Sequence, residues 1–163
     1  MDFEVDGEQQ LSRFFDYASE EMPNWKDVFA EWGKDFRETQ HSVFMNEGAF
    51  EGRTRWAELS PAYAEWKAQV YGETRILVRT RRLWNSLISE QHTDHIHDYD
   101  ENEMRVGTSV PYAIFHQRGT MNMPQRKVLE LTQPQKTRWV RICRRVTWGK
   151  LEYGASLHDI ARR

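Results

Sequence analysis

Three histidines and two aspartates fall between positions 92 and 98: His92, Asp94, His95, His97 and Asp98. Imidazole nitrogens and carboxylates are the ligands of zinc and related ions. If 93–99 is a strand, His95 and His97 share a face, where a metal could bridge them. A small metal-dependent hydrolase using His95, His97 and Asp98 is the enzyme class this pattern allows. Two ligands on an exposed hairpin do not close a tetrahedral site, however, and no Cys or Glu cluster supplies the rest. A solvated hairpin explains the same residues, and no cofactor or metal is expected. Cys143 is the single thiol, flanked by Arg144 and Arg145, which in principle lower a thiol pKa. A nucleophile also needs a base, and no sequence signature supplies one. His116 lies one helical turn from Tyr112. A general-base role there lacks a partner carboxylate, so a hydrogen-bonded histidine fixing a helix against a sheet is expected. Thr108 and Ser109 lack the nucleophile-elbow context of a hydrolase. Walker loop, dinucleotide fingerprint and zinc-finger spacing are all missing. The residues point away from an enzyme.

The 163 residues suffice for one domain with a real core. Seven Trp and 13% aromatics favour cores and interfaces, because these rings bury much area and keep a polar tip. A mean hydropathy of -0.84 and 29% charged residues imply a modest core and much wet or partner-facing surface. The net charge of -2 conceals an asymmetry. Residues 1–51 carry 13 acidic and 4 basic side chains (-9), residues 52–132 carry 10 and 11 (+1), and residues 133–163 carry 2 and 8 (+6). An acidic front and a basic back suit head-to-tail contact between identical subunits; solvated helical faces are the plainer reading. The lone cysteine excludes an internal disulfide. The acidic amino terminus does not read as a signal peptide, and no run approaches the roughly 18 apolar residues of a membrane span. A cytoplasmic protein without a membrane anchor is expected.

The elements that must position these residues follow from periodicity. Residues 8–21 read as a helix with Leu11, Phe14, Phe15 and Ala18 on one stripe. Pro23 breaks it. Asn24 is placed to cap a second helix carrying Trp25, Val28, Phe29, Trp32 and Phe36, extending towards Val43 and Phe44, with a sheet as its expected partner. Gly48 to Arg55 is a loop. Ser60 and Pro61 open a third helix with Tyr63, Trp66, Lys67 and Val70 in step, ended by Gly72. After the apolar Ile76–Val78, Thr80 is expected to cap a short helix holding Leu83, Trp84, Leu87 and Ile88. Residues 93–99 and 103–107 form a hairpin of edge or solvent-facing character. Tyr112 to Arg118 is a short helix with Gly119 in a left-handed cap, Val128 to Leu131 a strand, and Pro134 the start of a basic helix with Trp139, Val140, Ile142, Cys143 and Val146. Beyond Gly149 a loose tail is expected. The whole reads as one domain over 1–149, followed by a tail, 150–163. Within the domain, residues 1–46 are helical, 50–131 form the motif-bearing core and 134–147 the basic helix. Lys136, Arg138, Arg141, Arg144 and Arg145 give the basic helix a positive surface that phosphates would favour. A nucleic-acid-binding module is therefore the alternative to pairing with acidic protein surface.

Between Phe50 and Leu131 a series of fragments follows in fixed order: Trp56, Leu59, Ser60, Pro61, Tyr63 and Lys67; Ile76, Leu77, Val78, Thr80, Leu83 and Ser86; Val106, Gly107, Tyr112, Ala113, His116, Gln117, Gly119, Pro124 and Arg126. In this order they resemble the phage virion morphogenesis family, the tail-completion proteins of the phage Mu G type, related to neck proteins of other long-tailed phages. One departure stands out. The family usually has Thr-Gly-x-Leu where this chain has Thr80-Arg81-Arg82-Leu83, losing a residue free to take positive φ.

The resemblance implies an α+β fold in which a small antiparallel β-sheet curls around a long helix, with extra amino- and carboxyl-terminal helices. It implies a non-enzymatic virion protein of the tail or neck, assembled in the host cytoplasm. The protein would form a homo-oligomeric ring, a hexamer in tails of this kind, at the head-proximal end of the tail. Its partners would be tail terminator or tube proteins on one side and head connector or portal-side proteins on the other, with DNA in the lumen a further candidate and no membrane. Trp56, Tyr63, Leu77 and Leu83 would build the core; Tyr112, His116 and Gly119 would fix a short helix and its exit; Pro124 and Arg126 would set a loop, with Arg126 pairing a carboxylate on a neighbour. Thr80 and Gly107 complete the motif set.

Overall fold

A computed structural model describes residues 25–160, and side chains as far as Trp148. The expected helix over 8–21 lies outside the described residues. The remainder is a mixed α+β fold: α1 Lys26–Met45, α2 Pro61–Tyr71, α3 Arg82–Ile88, β1 His95–Tyr99, β2 Met104–Thr108, α4 Ala113–Arg118 and α5 Gln133–Ile160.

The stripe at three- and four-residue steps makes α1 the organising element. It buries Val28, Phe29, Phe36, Val43 and Phe44. Its partners are α3 and α5, with β1 adding a smaller contact, so helices take the place of the expected sheet partner. At its carboxyl end Phe36, Val43 and Phe44 join Trp56, Ile76, Val78, Leu83, Leu87, Val110 and Val128 in the main core. The Trp56 ring meets Phe44 edge-on, with centroids 5.2 Å apart. Each buried leucine here contributes roughly 2–3 kcal/mol. At its amino end Trp25, Val28 and Phe29 pack on Cys143 in a second, smaller cluster.

The only regular sheet among the described residues is the antiparallel pair β1–β2, with His95 opposite Thr108 and Tyr99 opposite Met104. Two strands are too few to curl around α1, and the expected wrap is not seen. The hairpin is also less wet than its polarity suggests. Ile96 and Asp98 are exposed, but His95 and His97 are half-buried against the helices. The Nδ1–H of His95 donates to the Ser86 carbonyl at 2.7 Å. His97 sits on Gly33, where an added Cβ would lie 2.1 Å from its Nε2. Glycine in α1 is thus what lets the hairpin approach.

The expected strand at Val128–Leu131 does not form. The segment is extended, but Gln117 takes the place of a neighbouring strand. Its Oε1 accepts the N–H groups of Val128 and Leu129, each at 2.9 Å, and its Nε2 donates to the Leu129 carbonyl at 2.6 Å. Arg53 donates to the carbonyls of Val128 and Glu130, and Trp56 Nε1 donates to that of Lys127 at 2.8 Å. Side chains therefore satisfy backbone groups that a β-ladder would otherwise satisfy.

The helix α5 runs through Gly149 to Ile160, so residues 150–160 are helical where a loose tail was expected. Its seam with α1 is polar and aromatic. Trp32 and Trp139 stack at 4.9 Å. Trp139 Nε1 donates to Asp35 Oδ2 at 2.7 Å, and Arg138 pairs with both Asp35 and Glu51. Part of the charge asymmetry is therefore satisfied inside one chain.

Candidate functional site: a groove lined by the motif residues

Four separate elements converge on one open groove of about 950 Å³. Helix α2 supplies Tyr63 and Lys67, the turn before α3 supplies Leu77 to Leu83, α4 supplies Tyr112, Phe115 and His116, and the following loop supplies Pro124 and Arg126. Ser60 is the extended N-cap of α2, Pro61 opens the helix, and Gly72 at φ 63 ends it, although the Ser60 hydroxyl makes no cap bond. Only Lys67 of this helix is buried. Its ammonium is drawn inward and donates to the Arg75 carbonyl.

Of the four expected core residues, Trp56 and Leu83 are buried, Leu77 packs half-buried against the core, and Tyr63 is exposed. Tyr63 is 39% exposed, because α2 lies on the surface and turns only Lys67 inward. Leu77 is half-buried, while its neighbours Ile76 and Val78 fill the core. Leu77 sits at φ 60, in the left-handed region that residues with a Cβ rarely adopt. Thr80 does not cap α3. The N-cap is Arg81, at φ 60 and ψ 1. The position where the family usually has glycine thus keeps glycine's conformation without glycine, at a cost of roughly 1–2 kcal/mol. Two non-glycine residues in this sparsely populated region stand four apart on the groove wall.

The floor at α4 is fixed by backbone contacts. Gly119 has φ 74 and ψ 171, which is not the left-handed helical cap expected but an extended conformation nearly exclusive to glycine. A Cβ there would stand 2.9 Å from the Gln125 backbone nitrogen. Arg126 holds backbone of its own chain. It is 6% exposed and donates from Nε to the Ala57 carbonyl at 2.7 Å and from Nη2 to that of Glu58 at 3.0 Å, while its own N–H bonds the His116 carbonyl at 2.8 Å. The His116 ring buries Nδ1 without a partner among the described residues, so the expected hydrogen bond is not seen at this nitrogen, and the ring meets Tyr112 edge-on at 6.0 Å. Burial, then the nearby Arg126 charge, holds its pKa below the usual histidine value. Gly107 lies in β2 opposite Ile96, where an added Cβ would make ordinary contact with Leu129.

The mouth of the groove is aromatic and cationic. Tyr63, Tyr112 and Phe115 are exposed, Phe115 to 54%. Lys67, Arg79, Arg81, Arg82 and Arg126 line it against one carboxylate, Glu58. Lys67 and Arg126 are committed to backbone carbonyls, and Arg82 grips Asp94 through two hydrogen bonds of 2.7 and 3.0 Å. Arg79 and Arg81 form the exposed rim, lying over the rings of Tyr71 and Trp84 at 5.8 and 5.9 Å from the centroids.

The other candidates lie elsewhere and serve the structure. Among the described residues no group of three or more His, Cys, Asp or Glu could hold a metal. The Cys143 thiol is fully buried, and burial outweighs Thr147 and Arg144 and pushes it up to about 11. On α5, Arg138 is held by Asp35 and Glu51, and Arg145 by Glu31 at 3.0 Å. Arg141 and Arg144 are exposed, and Lys136 is half-buried. Among the described residues no helix is long and apolar enough to cross a membrane. Gln117 and Arg53, which hold the extended segment, and the Arg79–Arg81 rim have no role assignable from sequence. Their partners lie up to 77 positions away.

A family model described as the phage virion morphogenesis family matches residues 6–147, and the chain belongs to that family. The match extends beyond the motif series in both directions, to residues 6 and 147. No curated protein and no solved structure matches the chain significantly. The family is one of phage structural morphogenesis, which implies a non-enzymatic role.

Proposed function

We propose that this protein is a structural component of the head-tail junction. It forms a homo-oligomeric ring, six subunits in tails of this kind, at the head-proximal end of the tail, completing the tail and joining it to the head. Tail tube or terminator proteins meet one face of the ring and connector proteins of the head the other. The observation that carries this reading is the convergence of 12 of the 21 motif residues on one open groove. A reactive centre gathers titratable groups, whereas here Arg126 and Lys67 hold backbone and the exposed mouth is aromatic and cationic. Exposed aromatic and arginine side chains are the usual anchors of protein interfaces. The nucleic-acid reading loses force because Arg138 and Arg145 are already neutralised by carboxylates of the chain itself.

The test is electron microscopy of particles assembled without the protein. Headless tails and tailless heads are expected; normal, infectious particles would reject the proposal.

A further inference from the structure

The groove has a well-matched ligand in the sequence itself. We propose that it receives the acidic amino-terminal segment, residues 1–24, of a second copy of this chain, and that this contact links neighbouring subunits. The inference rests on the ring reading above and names the surfaces that would make the ring.

Charge complementarity is the first argument. Residues 1–24 carry seven acidic side chains and one basic, a net -6, while residues 25–51 carry six and three, a net -3. The second group is largely spoken for within the chain: Asp35 and Glu51 hold Arg138, Glu31 holds Arg145, and Glu47 holds Arg55. The segment ahead of Trp25 is thus the most acidic stretch of the sequence. Exposed base lines the groove rim: Arg79 has no carboxylate partner among the described residues, and Arg81 has only Glu73, at 4.0 Å.

Apolar complementarity is the second. The segment places Leu11, Phe14, Phe15 and Ala18 at helical spacing between its acids. The groove offers Leu59 and Leu77 below and the rings of Tyr63, Tyr112 and Phe115 at its mouth. An amphipathic segment laid in such a groove buries aromatic area and brings carboxylates to arginine.

Placement is the third argument. The segment joins the fold at Trp25, whose N–H bonds the Glu101 carbonyl at the hairpin tip. The groove lies at the other end of α1: Trp84 of α3 stacks on Phe44, and the Ile76 N–H bonds Glu47. The 20 residues of α1 separate the two by about 30 Å. A ligand at one end of a subunit and its receptor at the other make a heterologous contact, which repeats from copy to copy and closes into a ring when the rotation allows.

The experiment uses the full-length protein with the photo-crosslinker p-benzoylphenylalanine in place of Phe115. Chains labelled with heavy nitrogen are mixed with unlabelled chains at concentrations where sedimentation shows self-association. After irradiation, mass spectrometry should find cross-links into residues 1–24, with about half of the pairs of mixed isotope. The variant Arg79→Glu should fold normally and cut the cross-link yield at least ~5-fold. Cross-links to residues 1–24 of unmixed isotope only would mean that each chain fills its own groove, and would overturn the second-copy assignment. Cross-links elsewhere, or none, would overturn the proposal outright. Tyr63 serves as a second probe position if the Phe115 variant does not fold. Defective particles in the absence of the protein, combined with failed cross-linking, would leave the ring reading standing and remove this one.

Discussion

The extended strap at residues 126–130 and the groove rim at residues 79–82 both depend on arginine, and they use it in opposite ways. Along the strap, Arg53 and Arg126 are buried and commit their N–H groups to backbone carbonyls. Along the rim, Arg79 and Arg81 are exposed and lie over aromatic rings. A guanidinium that satisfies backbone in a core specifies a fold, because removing it strands polar groups away from water. One on a wet aromatic surface adds little stability and is available to a partner. Substitutions in the strap should therefore unfold the protein, and those in the rim should spare the fold and weaken association.

The largest effect is expected for Gly119→Ala at the strap's turn. A Cβ would meet the Gln125 backbone in a conformation that alanine rarely adopts. A loss of about 3 kcal/mol or more is expected in urea unfolding. A loss under about 1 kcal/mol would show that this turn yields easily and that the strap is not rigid. Next comes Gln117→Ala, which strands two N–H groups and a carbonyl. About 2–3 kcal/mol should be lost, with faster amide hydrogen exchange at Val128 and Leu129. Unchanged exchange at these two amides would remove Gln117 from its assigned role.

A smaller effect separates the regions by pH. His116 is held below the usual histidine value of about 6.5 by burial and Arg126. His97 is held there by burial, Arg37 and His95. Below that value the unfolded chain takes up protons that the folded chain refuses, so stability is full above it and falls as pH drops from about 7 towards 5. His116→Phe should flatten that slope in proportion to its share. Glu73, held at about 2 chiefly by hydrogen bonds from Arg75, acts in a separate window: its contribution is present above the ordinary carboxylate value and is lost as pH falls towards about 2. Stability that does not change between about pH 7 and 5 would show that the two rings are not kept neutral by the fold.

The smallest effect, and opposite in sign, belongs to the rim. Arg81→Gly relieves left-handed strain of roughly 1–2 kcal/mol and gives back roughly 0.5–1 kcal/mol in chain entropy. A gain of about 0.5 kcal/mol is expected by thermal unfolding, together with weaker association. A clear loss of stability would mean that the contacts of Arg81 with Trp84 and Glu73 belong to the fold, and would blur the difference between strap and rim.

The legible regions of this chain are those written in local pattern. The stripe from Val28 to Phe44, the Ser60–Pro61 start, Gly72 and the existence of the hairpin all follow from spacing and turn chemistry, which act over a few residues. Illegible were the places where a side chain replaces backbone at long range. Val128–Leu131 has strand composition, yet its partner is the amide of Gln117, and nothing in the apolar sequence distinguishes the two. The resemblance implied a core place for Tyr63 and Leu77, but a motif match does not say how far another element covers a side chain: Tyr63 is exposed, and Leu77 is half-buried against the core.

By itself, then, the sequence determined the helices, the hairpin, the family and the uneven placement of acid and base, since each is a sum of local or compositional terms. Only the tertiary structure decided which charges are paired and which remain open. Arg138 and Arg79 are indistinguishable as letters; one meets Asp35 and Glu51 across 103 and 87 positions, and the other meets solvent beside a tyrosine ring. Electrostatic energy falls with distance in space, not along the chain, so the difference between a structural arginine and one open to a partner comes into being only when the helices pack.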